Sequence, residues 1–206
     1  MGRVTTSARE RILDAAVRRI AREGIDDARI ARIATDAGVS SATVHYHFAS
    51  REALLSEALE HSYERAGDAR IEVPGADEAS AAERLAAMIE QCLPEPGPVR
   101  DDFVLWVELW LRAARDETLR PTGARLYERM RDWFAEVIDD GIASGELHDC
   151  DAGRLADRAL ALVDGYGVRV VTGDPRMPLE RARQEIWTAL AGELGLPEHP
   201  PVTGAG

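Results

Sequence analysis

The chain contains no lysine; all 25 of its basic residues are arginines. Every cationic contact it makes is therefore a planar, permanently charged guanidinium, suited to forked bonds with carboxylates and phosphates. Cysteine is scarce as well. Cys92 and Cys150 are too few and too far apart for a disulfide framework or a zinc site, and both read as packing residues. No apolar run approaches the roughly 18 residues that a membrane-crossing helix needs, so no membrane partner is expected. The opening MGRVTTSARERIL has no apolar stretch of signal-peptide type, and a cytoplasmic location is the expectation. Strand-type alternation is nearly absent. A glycine-rich phosphate loop, metal-ligand spacing and a nucleophile–base–acid set are also lacking, which argues against an enzyme and against a cofactor or metal.

What is there is enough for a real core: 206 residues, 45% hydrophobic and 30% charged, in one or two domains. The net charge of −12 argues at first against a nucleic-acid partner, but it is uneven. Residues 1–51 hold nine arginines and six acids, whereas the remainder holds sixteen arginines and thirty-one acids. A mildly basic head on an acidic body suits anion binding by the head.

Helical periodicity runs through the chain, and the expected fold is all-α with about nine helices. Ser7 to Glu10 forms a capping box for the first helix, whose apolar face is Ile12, Leu13, Ala16, Val17 and Ile20 and which Gly24 ends. A second helix is expected from about Asp27 to Ala37, closed by Gly38. Ser40 then caps a third through Val44 and Phe48. Two short helices joined by a Gly-Val-Ser turn within about twenty residues have the spacing of a helix-turn-helix. A fourth helix follows from Ser50 to about Asp68, and Ile71 to Asp77 reads as a joint. The body is expected to hold helices over 80–93, 101–115, 118–143, 151–172 and 179–194. The boundary between head and body is placed near that joint, with the fourth helix shared by both; as residue ranges the domains are 1–53 (head), 54–196 (helical body) and 197–206 (disordered tail).

The run His45-Tyr46-His47-Phe48 raises the functional question. His45 and His47 are two apart on a helix and face different ways, which is wrong for a metal pair. Ser41 and His45 are four apart, yet no orienting acid or pocket accompanies them. Packing accounts in part for His47. Recognition accounts for the rest: Ser41, Thr43, His45 and Tyr46 on the outer side of a short helix can meet phosphates and base edges in a major groove. Arg29 and Arg32 sit on the outer side of the second helix. Arg51, in the first turn of the fourth, is expected to hold a backbone phosphate with little part in the fold.

The segment AREGIDDARIARIATDAGVSSATVHYHFASREALL resembles the DNA-binding head of the tetracycline-repressor (TetR) family of regulators. The matching residues are Ile33-Ala34, Ala37-Gly38-Val39-Ser40, Thr43, Tyr46-His47-Phe48 and Ser50-Arg51-Glu52-Ala53-Leu54. The body is similar, more weakly, to the subgroup of choline-responsive betaine regulators, through Trp106, Glu108-Leu109, Arg115-Asp116, Leu119-Arg120, Gly141, Gly145-Glu146 and Leu162-Val163-Asp164-Gly165. Two positions depart from the family pattern. Ala28 and Arg29 stand where hydroxyl residues often open the second helix, so Asp27 is expected to cap it. His45 stands where tyrosine is usual.

The resemblance implies a ligand-responsive repressor that binds a palindromic operator in double-stranded DNA as a homodimer formed by the last two helices. Its body implies a pocket for a small-molecule effector, an organic cation or a hydrophobic compound. Candidate lining residues are Met88, Cys92, Phe103, Trp106, Trp110, Tyr127, Trp133, Asp164 and Tyr166. Aromatic rings with a carboxylate can cage a cation, the carboxylate being Glu108 or Asp164. Glu108 can equally form an ordinary i, i+4 pair with Arg112. Effector binding is then expected to move the fourth helix as a lever and change the separation of the two heads. The competing class, a helical ligand-binding or adaptor protein that never touches DNA, leaves the outward residues of the third helix unexplained.

Overall fold

A computed structural model describes residues 7–71, 79–115, 117 and 119–201, with backbone alone for 63–71. Among these the chain forms nine helices and no strand: α1 Ala8–Glu23, α2 Ile30–Ala37, α3 Ser41–His47, α4 Arg51–Ile71, α5 Ala81–Cys92, α6 Pro98–Ala113, α7 Arg120–Ser144, α8 Ala152–Val171 and α9 Leu179–Leu194. No helix among the described residues is long and apolar enough to cross a membrane. The joint expected at 71–77 lies, beyond Ile71, outside the described residues, as do Asp116, Thr118 and the tail from 202.

The chain divides into two compact units. The first comprises residues up to 65 together with 104–123; the second comprises 66–103 and 124 onward. The first unit therefore holds Arg51 to Arg65 of α4 and the C-terminal part of α6.

In the first unit α1, α2 and α3 pack on one another. The stripe Ile12, Leu13, Ala16, Val17 and Ile20 is fully buried, together with Ile33, Ala34, Val44 and Phe48. Each large apolar side chain buried in this way contributes roughly 1.5–3 kcal/mol. The Ser7 capping box forms as expected, with Ser7 Oγ accepting from Glu10 N–H at 3.1 Å and Glu10 accepting from Ser7 N–H at 2.7 Å. Arg19 of α1 donates to Asp36 of α2 at 2.8 Å and to Glu23 at 2.6 Å, so α1 and α2 are also tied through charge. His61 of α4 bonds Asp14 of α1 at 2.8 Å.

The second helix begins three residues later than expected. Its N-cap is Arg29, with no side-chain cap, so Asp27 does not cap it. The reason is burial: Ile25 and Ala28 are buried in the core on either side of Asp26 and Asp27, and residues 25–27 form a turn. α6 begins three residues early, at Pro98, where a proline in the first turn loses no helical hydrogen bond.

In the second unit α9 packs on α8 and α5 around Trp187, Ile186, Leu190, Leu155, Leu160 and Leu85. Ser80 caps α5 in a second capping box, and Glu146 accepts from Ala81 N–H at 2.7 Å. The expected disordered tail is held at its start: Trp187 Nε1–H donates to Pro197 O at 2.8 Å and Gln184 Nε2–H to Glu198 O at 2.9 Å.

Candidate DNA interface and effector site

The turn between α2 and α3 needs a left-handed residue, and Gly38 supplies it with φ 67° and ψ 36°. Its amide donates to Thr35 O at 3.1 Å, and the next amide, Val39 N–H, donates to Ala34 O at 2.9 Å. Ser40 then starts α3 by accepting from Thr43 N–H at 3.1 Å. Its hydroxyl also lies 2.9 Å from the Thr43 hydroxyl. Val44 and Phe48 anchor α3 to the core, which fixes what the other side presents.

That side carries Ser41, Ala42, His45 and Tyr46, all exposed. Tyr46 is 85% exposed, the largest value among the exposed large apolar side chains. Thr43 and His47 are half-buried, and the His47 ring meets Tyr46 edge-on at 5.2 Å. Arg29 is exposed at the start of α2. Arg32 is also exposed and pairs with Glu23 at 3.2 Å. Hydroxyls, an imidazole, a phenol and two guanidiniums on one head can contact phosphates and base edges together.

Arg51 behaves differently from its sequence expectation. Its guanidinium turns inward and donates to the carbonyl oxygens of Ala28 at 3.4 Å, Asp26 at 3.2 Å and Ile25. It holds the α1–α2 turn rather than standing free at the surface. Arg9 is a head residue that sequence reasoning missed. It lies over the Phe48 ring at 5.6 Å and pairs with Glu57 of α4. A lone arginine in the first turn of α1 gave no signal for either contact.

The candidate effector residues fall in both units. Trp106 and Trp110 belong to the first, and Met88, Cys92, Phe103, Tyr127, Trp133, Asp164 and Tyr166 to the second. Trp106 is buried, and its Nε1 is without a hydrogen-bond partner among the described residues. Trp110 lies against Gly123, where a Cβ would stand 3.3 Å from its ring. Met88 and Cys92 are buried in α5, while Trp133 and Tyr166 are half-buried.

One turn of α8 gathers the rest. The Tyr127 hydroxyl, from α7, donates to the Asp164 carboxylate. Phe103, from α6, packs on the bare backbone of Gly167, where an added Cβ would stand 2.2 Å from its ring. Burial pushes the Asp164 carboxyl above its ordinary value of 3.8, and the Tyr127 bond pulls it down by less. Burial first, and then Asp164, push the Tyr127 phenol well above the usual tyrosine range, so it stays protonated and donating. No arginine is paired with Asp164 among the described residues. Of the two candidate carboxylates, Glu108 lies elsewhere, beside Gly24 in the first unit. The expected Glu108–Arg112 pair gives way to a pair between Arg112 and Asp26.

Residues 12–58 match the family described as bacterial regulatory proteins, tetR family, and residues 81–195 match the BetI-type transcriptional repressor C-terminal family. The chain belongs to the TetR family. This regulator is 37% identical to a transcriptional regulator from Saccharomonospora viridis whose crystal structure is in complex with choline. That alignment covers 87% of this chain and 93% of that one, with a TM-score of 0.77. It is 31% identical to a TetR-family regulator from a Rhodococcus species, over 91% and 98% of the two chains, with a TM-score of 0.80. It is 28% identical to the HTH-type transcriptional regulator BetI of Brucella anthropi over 80% of this chain and 82% of that protein. This TetR-family regulator is a DNA-binding transcriptional repressor and not an enzyme. The adaptor reading is set aside.

Proposed function

We propose that this repressor senses a small organic cation of the choline class and releases its operator on binding it. The observation that carries the reading is Asp164. It is a partly buried carboxylate whose partner is a phenol donor from Tyr127 rather than an arginine among the described residues. A carboxylate taken out of water needs a cation. A quaternary ammonium satisfies it without needing a hydrogen bond, and the faces of Phe103 and Tyr127 around the same turn of α8 add cation–π attraction. The choline complex of the Saccharomonospora viridis relative supports the same ligand class.

The DNA contacts proposed are Tyr46, His45 and Ser41 of α3, with Thr43 and His47 at its edge and Arg29 and Arg32 flanking. Arg51 acts by positioning the turn below them. The protein is proposed to work as a two-fold dimer through α8 and α9. Ala161, Gly165 and Val168 on α8, with its C-cap Thr172, form an exposed stripe of small and apolar residues, and Thr188, Ala189 and Gly192 are exposed on α9. Two α3 helices related by that symmetry would enter successive major grooves about 34–36 Å apart on a palindromic operator.

The test is calorimetry with choline and with its neutral isostere 3,3-dimethylbutan-1-ol, alongside gel-shift titration on the DNA upstream of the gene. Choline is expected to bind and to weaken the operator complex, and the isostere to do neither. Equal binding of both compounds, or choline binding untouched by Asp164→Asn, would sink the cation reading.

A further inference from the structure

α6 is one unbroken helix that begins in the second unit and ends in the first. Phe103, near its start, is the ring that packs on Gly167 of α8. Arg112, near its end, pairs with Asp26 in the turn between α1 and α2. The two positions are nine residues apart, roughly 14 Å along a helix axis. One turn before Arg112, the Glu108 carboxylate lies 3.8 Å from where a Cβ on Gly24 would stand. The same turn is held from another side by Arg51, the first residue of α4, through the carbonyls of Ile25, Asp26 and Ala28. Thus α4 grips this turn by its main chain, and α6 grips it by a single carboxylate.

The ion pair adds little to folding. The Asp26 side chain is 90% exposed and the Arg112 side chain 28%. An exposed pair of this kind is worth at most about fivefold in an equilibrium constant. That is too weak to hold the head together, but it is enough to bias two arrangements of a turn that is otherwise fixed by Arg51.

We propose that the Arg112–Asp26 pair is the coupling contact through which movement of α6 reaches the DNA-reading head. A ligand at the Phe103–Tyr127–Asp164 cluster displaces the Phe103 end of the helix. The Arg112 end then pulls or releases Asp26, and the turn that leads into α2 follows. Arg112 and Asp26 touch neither ligand nor DNA in this scheme; they are positioning residues. The scheme rests, for its ligand, on the choline reading above.

The experiment has two arms, both reading operator affinity by titration. In the first, affinity is measured with and without saturating choline for the wild type, Arg112→Ala, Asp26→Asn and the swap Arg112→Asp with Asp26→Arg. The single variants are expected to bind operator alone within about twofold of wild type and to bind choline normally. The factor by which choline weakens the operator complex should shrink about three- to fivefold in the single variants and recover in the swap. An undiminished factor in the single variants, or no recovery in the swap, overturns the proposal. The second arm needs no ligand. Gly167→Ala places a methyl 2.2 Å from the Phe103 ring, so the ring must give way; Phe103→Leu replaces it if that variant fails to fold. Either is expected to change operator affinity with Arg112 present and to change it less with Arg112→Ala. If choline leaves the wild-type operator complex unchanged, the choline reading fails and the second arm alone decides. Additive effects there, or none, overturn the coupling role.

Discussion

Arg51 donates to the backbone carbonyl of Asp26 at 3.2 Å, so the first residue of α4 holds the turn that leads into α2. An arginine in that first turn looks from sequence like a surface phosphate ligand. In the fold its charge is engaged with three carbonyl oxygens. Arg51→Ala leaves those carbonyls short of a donor, which costs roughly 1–3 kcal/mol. Urea denaturation should register that loss in stability, and operator affinity should fall with it. An unchanged midpoint would remove the buttress role.

Tyr46 makes the opposite case. At 85% exposure its ring supports no core, so Tyr46→Ala should leave the denaturation midpoint within about 0.5 kcal/mol of wild type. Operator affinity is expected to fall at least about fivefold, the worth of one good contact of about 1–3 kcal/mol. Full operator binding by the variant would move the reading surface off α3.

Salt dependence separates phosphate contacts from base contacts. Arg29→Ala should weaken binding to operator and to unrelated DNA alike, and should lower the slope of log affinity against log salt by about two, one for each half of the dimer. Tyr46→Ala should leave that slope nearly intact if Tyr46 reads bases. Titrations at three salt concentrations give both slopes.

Gly38 sits at φ 67°, and nothing lies within 4 Å of where its Cβ would be. Gly38→Ala therefore meets no clash and pays only the left-handed backbone penalty, about 1–2 kcal/mol. The loss should appear in thermal unfolding at every salt concentration. A neutral substitution would mean that the turn relaxes into another conformation.

The pH dependence has a definite sign. Burial raises the Asp164 carboxyl above its ordinary 3.8. The folded state thus favours the protonated form, so this group's contribution to stability is present below the ordinary value and is lost as pH rises through the raised one. Choline needs the carboxylate and follows the reverse course: its affinity should climb over that interval and then level off. Asp164→Asn should flatten both trends. Calorimetric titration across the acidic range checks them, and a pH-independent choline affinity would disconnect Asp164 from the ligand.

The capping boxes at Ser7 and Ser80, the glycine closing α2 and the cap at Ser40 were legible because each is a local signal within a few residues. The outward set Ser41, His45 and Tyr46 was legible for the same reason: periodicity buries Val44 and Phe48 and leaves the remaining positions outside. Arg9 over Phe48, Arg51 on the α1–α2 turn and Arg112 on Asp26 were not legible. The last pair joins residues 86 apart in the chain, and no periodicity reports which of many arginines meets which of more numerous acids.

By itself the sequence determined the all-helical class, the helix-turn-helix and the residues that face outward from α3, because caps, glycines and apolar spacing act over one or two turns of chain. Only the tertiary structure decided that Asp164 meets the Tyr127 hydroxyl, which glycine admits the Phe103 ring and which arginines brace the head. Those outcomes depend on which helices pack together, and packing brings into contact residues that local sequence keeps apart.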